Sequence, residues 1–502
     1  MPYIGLDVGT SGCKASVVDM QGNVLQHRRC EYAPVSPPAG YIEMDARLVW
    51  QAVQQVLKAV ARPDITALAI ASFGEAVVLL DENDEVLANS IYYSDVRGTA
   101  EVADFLQAIE PEQARKITGT QANPMYSACK LLWIKKHQPE VYAKAKKIML
   151  FGDYIGYMLT GKRVIDYSLA SRTMLFDVQK MQWSPYVCGA LKIEENMFSV
   201  PVRSGSIIGP LLPVIAGQLG LPQSALLVAG GHDQVLATLG GGAVAQGDSV
   251  DGMGSSECIS LVLNGQDWTP EMAEHNFCCE PYVFENTYLT LAFNASSGTS
   301  MRWYRDCIEK ERKEEYESLG ESLYKQMDME CPAGPTNLLF LPHVGGSGTP
   351  YLDSSMGGAV VGLRVNTTKQ EIFKAVMEGV CFEMQWNVEL LQKCKLNLRE
   401  ITAVGGGANS AVMMQIKADV MNRRIQILQE SETGTIGLAL LCAYAMGDIK
   451  DLALAAKSLA KKAAQYTPNP QNAKIYAQKM GQYRRVYPAM KTIYADENKT
   501  GG

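Results

Sequence analysis

The chain has 502 residues, of which 47% are hydrophobic and 20% charged, and it carries a formal net charge of −7. That length exceeds one ordinary core and predicts two domains of a globular protein. The acidic balance argues against nucleic acid or an anionic membrane surface as the main partner.

No apolar stretch reaches the roughly 18 residues of a membrane span, and the first residues lack the basic and apolar regions of a signal peptide. The 12 cysteines include no C-x-x-C pair, so reduced thiols in a cytoplasmic protein are the expectation. The five histidines, none at metal-ligand spacing, disfavour zinc chemistry.

Residues 3–19, YIGLDVGTSGCKASVVD, read as a strand, a glycine-rich hairpin and a second strand, with Asp7 just ahead of Gly9, Thr10, Ser11 and Gly12. NVLQHRRCEYA extends them into a meander. Residues 45–61 place apolar side chains at helical spacing behind Asp45, a good N-cap. ITALAIASF follows as a buried strand, and AVVLLDENDEVLAN as a hairpin about an Asn-Asp turn. Residues 99–160 read as mostly helical, and a further strand, ALLVAGG, runs into HDQVLATLGGGAV.

Residues 248–264, DSVDGMGSSECISLVLN, repeat the opening pattern of strand, small-residue hairpin and strand. Gly254, Ser255 and Ser256 fall where Gly9, Thr10 and Ser11 fell. Each copy opens one half of the chain, which places domain boundaries at 1–246 and 247–502. A helix at 369–393, the strand ITAVGGGAN, and helices at 410–421 and 434–446 follow. The Lys- and Ala-rich tail at 452–492, interrupted at TPNPQN, reads as a solvated helical layer. The mixture in both halves predicts an α/β protein of two similar lobes with a cleft between them.

Three motifs carry candidate chemistry. The two hairpins can aim backbone N–H groups and hydroxyls at phosphate oxygens; either alone reads better as a simple tight turn, and the pair is harder to dismiss. Neither is a P-loop, because GxxxxGK[ST] is absent. GGGAN, Gly405 to Asn409, lies where a strand gives way to a helix, the place where α/β lobes bind ligands, with a plain strand-to-helix turn as the competing reading. GGHDQ, residues 230–234, offers Asp233 and Gln234 at a strand end; a helix cap by Asp233 is the competing reading, and His232 reads as a packing neighbour.

Taken together these segments resemble the FGGY family of carbohydrate kinases, whose ATPase fold is shared with hexokinase, actin and Hsp70. The similarity runs along nearly the whole chain. MYSACKLLWIKKH (125–137), with Ser127, Lys130 and Trp133, is similar to the family's first signature. GAVVGLRVNTTKQEIFKAVMEG (358–379), from Gly358, Gly362 and Leu363 to Glu371, Ala375 and Glu378, is similar to the second, and LPHVGGSGTPYLDSSMGG (341–358) resembles the loop ahead of it.

The resemblance implies an ATP-dependent kinase of a small sugar or sugar alcohol, with a ketopentose such as xylulose favoured and Mg2+ as the accompanying ion. It implies that Asp7 helps hold the magnesium of MgATP and that Asp233 is the general base. Gly9, Thr10, Ser11 and Lys14, with Gly254, Ser255 and Ser256, fall to the phosphates, and Gly405, Gly406, Gly407 and Asn409 to the adenosine. Gly252 stands where the first hairpin has Asp7, so only one lobe supplies a metal-side carboxylate. Aspartic acid has an unperturbed pKa of about 3.9, so such a base accepts its proton late, as the hydroxyl attacks.

Substrate contacts are expected from Glu75, Tyr93, Asp233 and Gln234. Glu75 falls where xylulokinases carry the His of a Met-His pair and glycerol kinases the Glu of an Arg-Glu pair; this chain has Gly74-Glu75. For Tyr93, core packing is an equal alternative. A homodimer is the family-level expectation. A non-catalytic sugar sensor or chaperone-like ATPase on the same fold is the competing function; it predicts loss of Asp7 or Asp233, and both are present.

Overall fold

Tyr3–Val8 (β1) is buried along almost its whole length, the mark of a strand covered on both faces. In the structure, a computed structural model describing residues 1–37, 40–265 and 269–500, it lies inside a six-stranded sheet. Gly12–Val18 (β2) and Val24–Glu31 (β3) continue from it as an antiparallel meander. Ala67–Ser72 (β4) pairs with β1 in parallel on the other side. Ile207–Pro210 (β5) and Leu226–His232 (β6) complete the order β5-β6-β4-β1-β2-β3, with β6 parallel to β4.

The second sheet repeats this plan. Ser249–Met253 (β7), Glu257–Asn264 (β8), Glu280–Pro281 (β9), Thr287–Asn294 (β10), Ile401–Val404 (β11), Ile425–Leu428 (β12) and Lys462–Tyr466 (β13) run in the order β9-β10-β8-β7-β11-β12-β13. Strands β7, β8 and β10 form the antiparallel meander, and β11 and β12 follow in parallel. The predicted α/β class and the duplicated opening hairpin are thus both present.

Two short helices join the sheets. Asp233–Gly240 follows β6 and Thr433–Ala445 follows β12. They cross at glycines. A Cβ on Gly240 would lie 1.9 Å from the Thr433 carbonyl oxygen, and one on Gly437 would lie 2.2 Å from that of Leu236. A Cβ on Gly5 of β1 would likewise come within 2.5 Å of the Thr435 carbonyl oxygen. The backbones touch there, so the floor of the cleft admits no side chain at these points.

Most elements stand where the sequence places them. The helix Ala46–Val60 starts at Asp45, whose carboxylate accepts from the Arg47 N–H at 2.9 Å. The helix Lys369–Lys393 starts at a capping box of Thr368 and Glu371.

Three segments carry more than the sequence shows. The hairpin at 76–89 is present but short: Leu80 bridges Val86, the Leu87 N–H donates to the Leu79 carbonyl at 3.0 Å and the Asp81 N–H to that of Glu85 at 3.1 Å, while the strand Val77–Leu80 takes its longer ladder from Lys147–Leu150. The segment 99–160 is mostly helical, as read, with that partner strand inserted in it. The tail is exposed along most of its length, as read, but one face of it is packed inward. Its strand β13 extends the second sheet, and Tyr476, Met480 and Tyr483 of the helix Pro470–Tyr483 are buried. Their polar atoms find partners inside: Tyr476 and Lys479 bond Glu378 at 2.9 and 2.7 Å, and Tyr483 bonds Glu383.

Candidate active site

The parallel pairings gather the first half of the site. Asp7 of β1 lies opposite Ala71 of β4, and His232 at the end of β6 lies opposite Ser72. The carboxyl ends of these neighbouring strands deliver Asp7, the Gly74-Glu75 turn and Asp233 to one edge of the sheet, where α/β folds bind ligands.

Asp233 is not a helix cap. It is the first residue of its helix; His232 occupies the N-cap position and makes no side-chain cap bond. The competing structural reading of Asp233 is therefore set aside. Its carboxylate has as neighbour the His232 Nε2, at 3.4 Å.

The first hairpin closes through Gly9 N–H to the Gly12 carbonyl at 3.0 Å. Tyr32 secures it, its hydroxyl donating to the Gly9 carbonyl at 2.6 Å. Lys14 sits 3.4 Å from Asp7 and 2.9 Å from Glu432, bridging the hairpin to the segment before the joining helix. Burial pushes the Asp7 carboxyl up, and repulsion from Asp233 adds to it; Lys14 opposes both, leaving the group at about 6. The Lys14 ammonium is pushed down by burial, but Asp7 and Glu432 outweigh this and raise it above the usual range.

The second hairpin and GGGAN form the other half. Strands β7 and β11 are parallel neighbours, with Gly252 opposite Val404, so the two motifs leave the sheet side by side. Gly405 has φ of +89°, a conformation that suits glycine, and a Cβ there would lie 2.8 Å from the Met253 carbonyl oxygen. Gly406 faces open space and Asn409 is exposed. Ser410 caps the helix Ala411–Met421 through the Met413 N–H at 3.1 Å. Gly254, Ser255 and Ser256 are exposed.

Sequence reasoning missed Arg302, whose Nη2 reaches the Ser255 hydroxyl at 2.6 Å, placing a cation on the second hairpin. It also missed Lys417, which is buried beneath that hairpin and paired with both Asp251 and Glu257.

Glu75 adopts φ of +69°, uncommon for a side chain of its size, and is only 4% exposed. Its carboxylate is not free: Arg172 Nε donates to Oε1 at 2.7 Å, with Nη2 on the same oxygen. Arg172 was not anticipated. Gly74 is the signal that was available, since a Cβ there would lie 2.8 Å from Arg172 Cγ.

Nor is His232 a passive packing residue. Its Nδ1 lies 2.9 Å from Oε1 of buried Glu280. Burial alone would lower the imidazole pKa, but Glu280 and Asp233 raise it to about 9. Tyr93 is half-buried beside Tyr92, ring centroids 4.7 Å apart, and its hydroxyl is pushed up by burial and by Tyr92, Glu75 and Asp233. Gln234 faces the other way: its Oε1 would lie 3.6 Å from a Cβ placed on Gly252.

The first signature segment is a support for this pocket. The Ser127 hydroxyl donates to the Glu75 carbonyl at 2.7 Å, and Lys130 Nζ reaches the carbonyls of Asp95 and Arg97 at 2.5 and 2.6 Å. Among the described residues no cluster of three or more His, Cys, Asp or Glu could hold a metal by itself, and no helix is long and apolar enough to cross a membrane.

Residues 2–240 match the N-terminal domain, and residues 253–446 the C-terminal domain, of the FGGY family of carbohydrate kinases. The chain is 27% identical to the xylulose kinase of Bacillus subtilis, over 98% of this chain and 97% of that one. The ligand-bound xylulose kinase of Lactobacillus acidophilus superposes with a TM-score of 0.89 at 26% identity, covering 99% of both chains. A gluconate kinase from the same organism gives 0.88 at 26% identity, again over 99% of both. With both family domains matched in order over most of its length, and with two sheets of the actin and hexokinase type, the chain belongs to the FGGY family of carbohydrate kinases.

Proposed function

We propose that this kinase transfers the γ-phosphoryl group of ATP to a hydroxyl of a small sugar or polyol, with a ketopentose such as xylulose the first candidate. The observation that carries the reading is Asp233, whose carboxylate is released from capping and stands at the same sheet edge as Asp7. We divide the chain into lobes 1–246 and 247–502.

In this reading the substrate hydroxyl loses its proton to Asp233 as its oxygen attacks the γ-phosphorus. The bond from that phosphorus to the β,γ-bridging oxygen breaks, and its electron pair leaves with ADP. Phosphoryl transfer asks chiefly for positioning and charge neutralisation. Gly9, Thr10, Ser11 and Lys14 hold the phosphates from one side, and Gly254 to Ser256 from the other. Gly405 to Gly407 and Asn409 receive the adenosine.

A magnesium ion fits beside Asp7. The carboxylate lies next to the first hairpin with its side chain 17% exposed, and a hard carboxylate oxygen suits an ion that keeps waters and phosphate oxygens in its shell. When bound, the ion supplies charge neutralisation at the phosphates. The chain's own part is to hold that carboxylate in place, and Lys14 does so.

The test is ADP release with a panel of ketoses, aldoses and polyols, run on the wild type and on Asp233→Asn. At least one neutral sugar or polyol should stimulate turnover, and the variant should lose about 10²- to 10⁴-fold in kcat while still binding ATP. If no substrate raises turnover above background, the reading is wrong.

A further inference from the structure

Glu280 belongs to β9 at the edge of the second sheet, yet its side chain ends among residues of the first half. One carboxylate oxygen accepts from His232 Nδ1 at 2.9 Å, and the other lies 3.6 Å from Arg172 Nη1. Arg172 turns its remaining nitrogens to Glu75, and His232 turns Nε2 to Asp233. The result is a chain of alternating charge, Glu75, Arg172, Glu280, His232 and Asp233, with a residue expected to touch substrate at each end.

Gly74 makes the chain possible. A Cβ there would lie 2.8 and 2.9 Å from Arg172 Cγ and Cβ, so any larger residue would push the arginine out. Tyr126 lies against the guanidinium, ring centroid 5.0 Å from Cζ. Every charged member of the group is buried except Asp233, the member open to the cleft.

The charges decide what can enter. Three carboxylates face two cations, with His232 protonated at neutral pH because its pKa is raised to about 9 by Glu280 and Asp233 against the cost of burial. The group carries one net negative charge, and both of its cations are already committed to carboxylates. A carboxylate on a substrate would meet repulsion here with no free cation to answer it. Hydroxyls meet acceptors instead, at the second oxygen of Glu75 and at Asp233.

We propose that Glu280 is a specificity-determining residue which, by engaging Arg172 and His232, restricts this pocket to uncharged sugars and polyols and excludes sugar acids. This rests on the kinase reading above. Removing the Glu280 charge leaves Arg172 only half neutralised, so sugar acids should then be tolerated better. The residue thus acts through others rather than on the substrate.

The experiment compares kcat/KM for D-xylulose and xylitol with that for D-xylonate and D-gluconate, in the wild type and in Glu280→Gln. Like-charge rejection of this kind predicts a wild-type preference of at least about a hundredfold for the better neutral substrate. Glu280→Gln, checked for folding by its melting curve, should narrow that preference about tenfold or more. Equal or better turnover of an aldonate by the wild type overturns the proposal and leaves the kinase reading intact. An unchanged preference in a folded Glu280→Gln removes Glu280 as its cause. Absence of turnover with every compound overturns the kinase reading beneath it. Should Glu280→Gln fail to fold, Arg172→Gln replaces it; that variant should lose turnover of neutral substrates without gaining any for aldonates, and a gain for aldonates contradicts the proposal.

Discussion

The two hairpins share one topology and use their carboxylates in opposite ways. In the first, Asp7 stands on the cleft side of β1, held by Lys14. In the second, the matching position is Gly252, and the nearest carboxylate is Asp251, one residue earlier. Successive side chains of a strand point to opposite faces, so Asp251 is turned into the core. There it meets Lys417, from the helix that follows GGGAN, together with Glu257. The first copy keeps a carboxylate where an ion can reach it. The second ties its hairpin to the helix that follows GGGAN, so that those two elements hold one spacing.

The buried half of this comparison is the easiest to break. Lys417→Met leaves Asp251 and Glu257 facing each other without a cation; burial and Asp251 already push the Glu257 carboxyl up with the lysine in place. Losing one partner of a buried ionic group costs about 3 to 5 kcal/mol. Chemical denaturation followed by circular dichroism should show a loss of that size. A loss below about 1 kcal/mol would mean that Lys417 does not lock the hairpin.

A smaller change sharpens the same point. Gly252→Asp would give the second hairpin a cleft-side carboxylate, and there is space for it, since a Cβ at 252 meets its nearest atom, Gln234 Oε1, at 3.6 Å. With no lysine placed as Lys14 is in the first copy, the new charge should repel the nucleotide and raise KM for ATP about tenfold, or about 1.4 kcal/mol. An unchanged KM would show that the second hairpin does not face the phosphates.

Much of this asymmetry was legible in the sequence, because a strand's alternation fixes which of two adjacent residues faces the cleft. Asp7 against Gly252 could be read directly. Helix 369–393 was legible for a similarly local reason, its capping box at Thr368 and Glu371. What escaped reading depends on distant partners. Strand 147–150 is short and exists by pairing with 77–80. KAAQY at 462–466 has little intrinsic strand preference and becomes one by adding to the edge at β12. The tail carried its apolar period at Tyr476, Met480, Tyr483 and Tyr487, but the surrounding Lys and Ala residues disguised it as solvated. In the site, Asp7 and Asp233 could be placed by motif. Arg172 and Glu280 could not, for they come from separate segments that meet only when both sheets are formed.

In the proposed function Asp7 is the metal-side carboxylate, and Asp7→Asn tests that role most directly. Burial raises this carboxyl to about 6, with Asp233 adding to the rise against Lys14. A carboxylate whose folded pKa lies above its unfolded value weakens folding as pH rises from about 4 through 6, and does so fully at neutral pH. Asparagine removes that cost, so the variant should melt no lower than the wild type at pH 8. Sugar-dependent ADP release, measured across a magnesium titration, should nevertheless fall about a thousandfold. Near-normal turnover at ordinary magnesium concentrations in a folded Asp7→Asn protein would contradict the account.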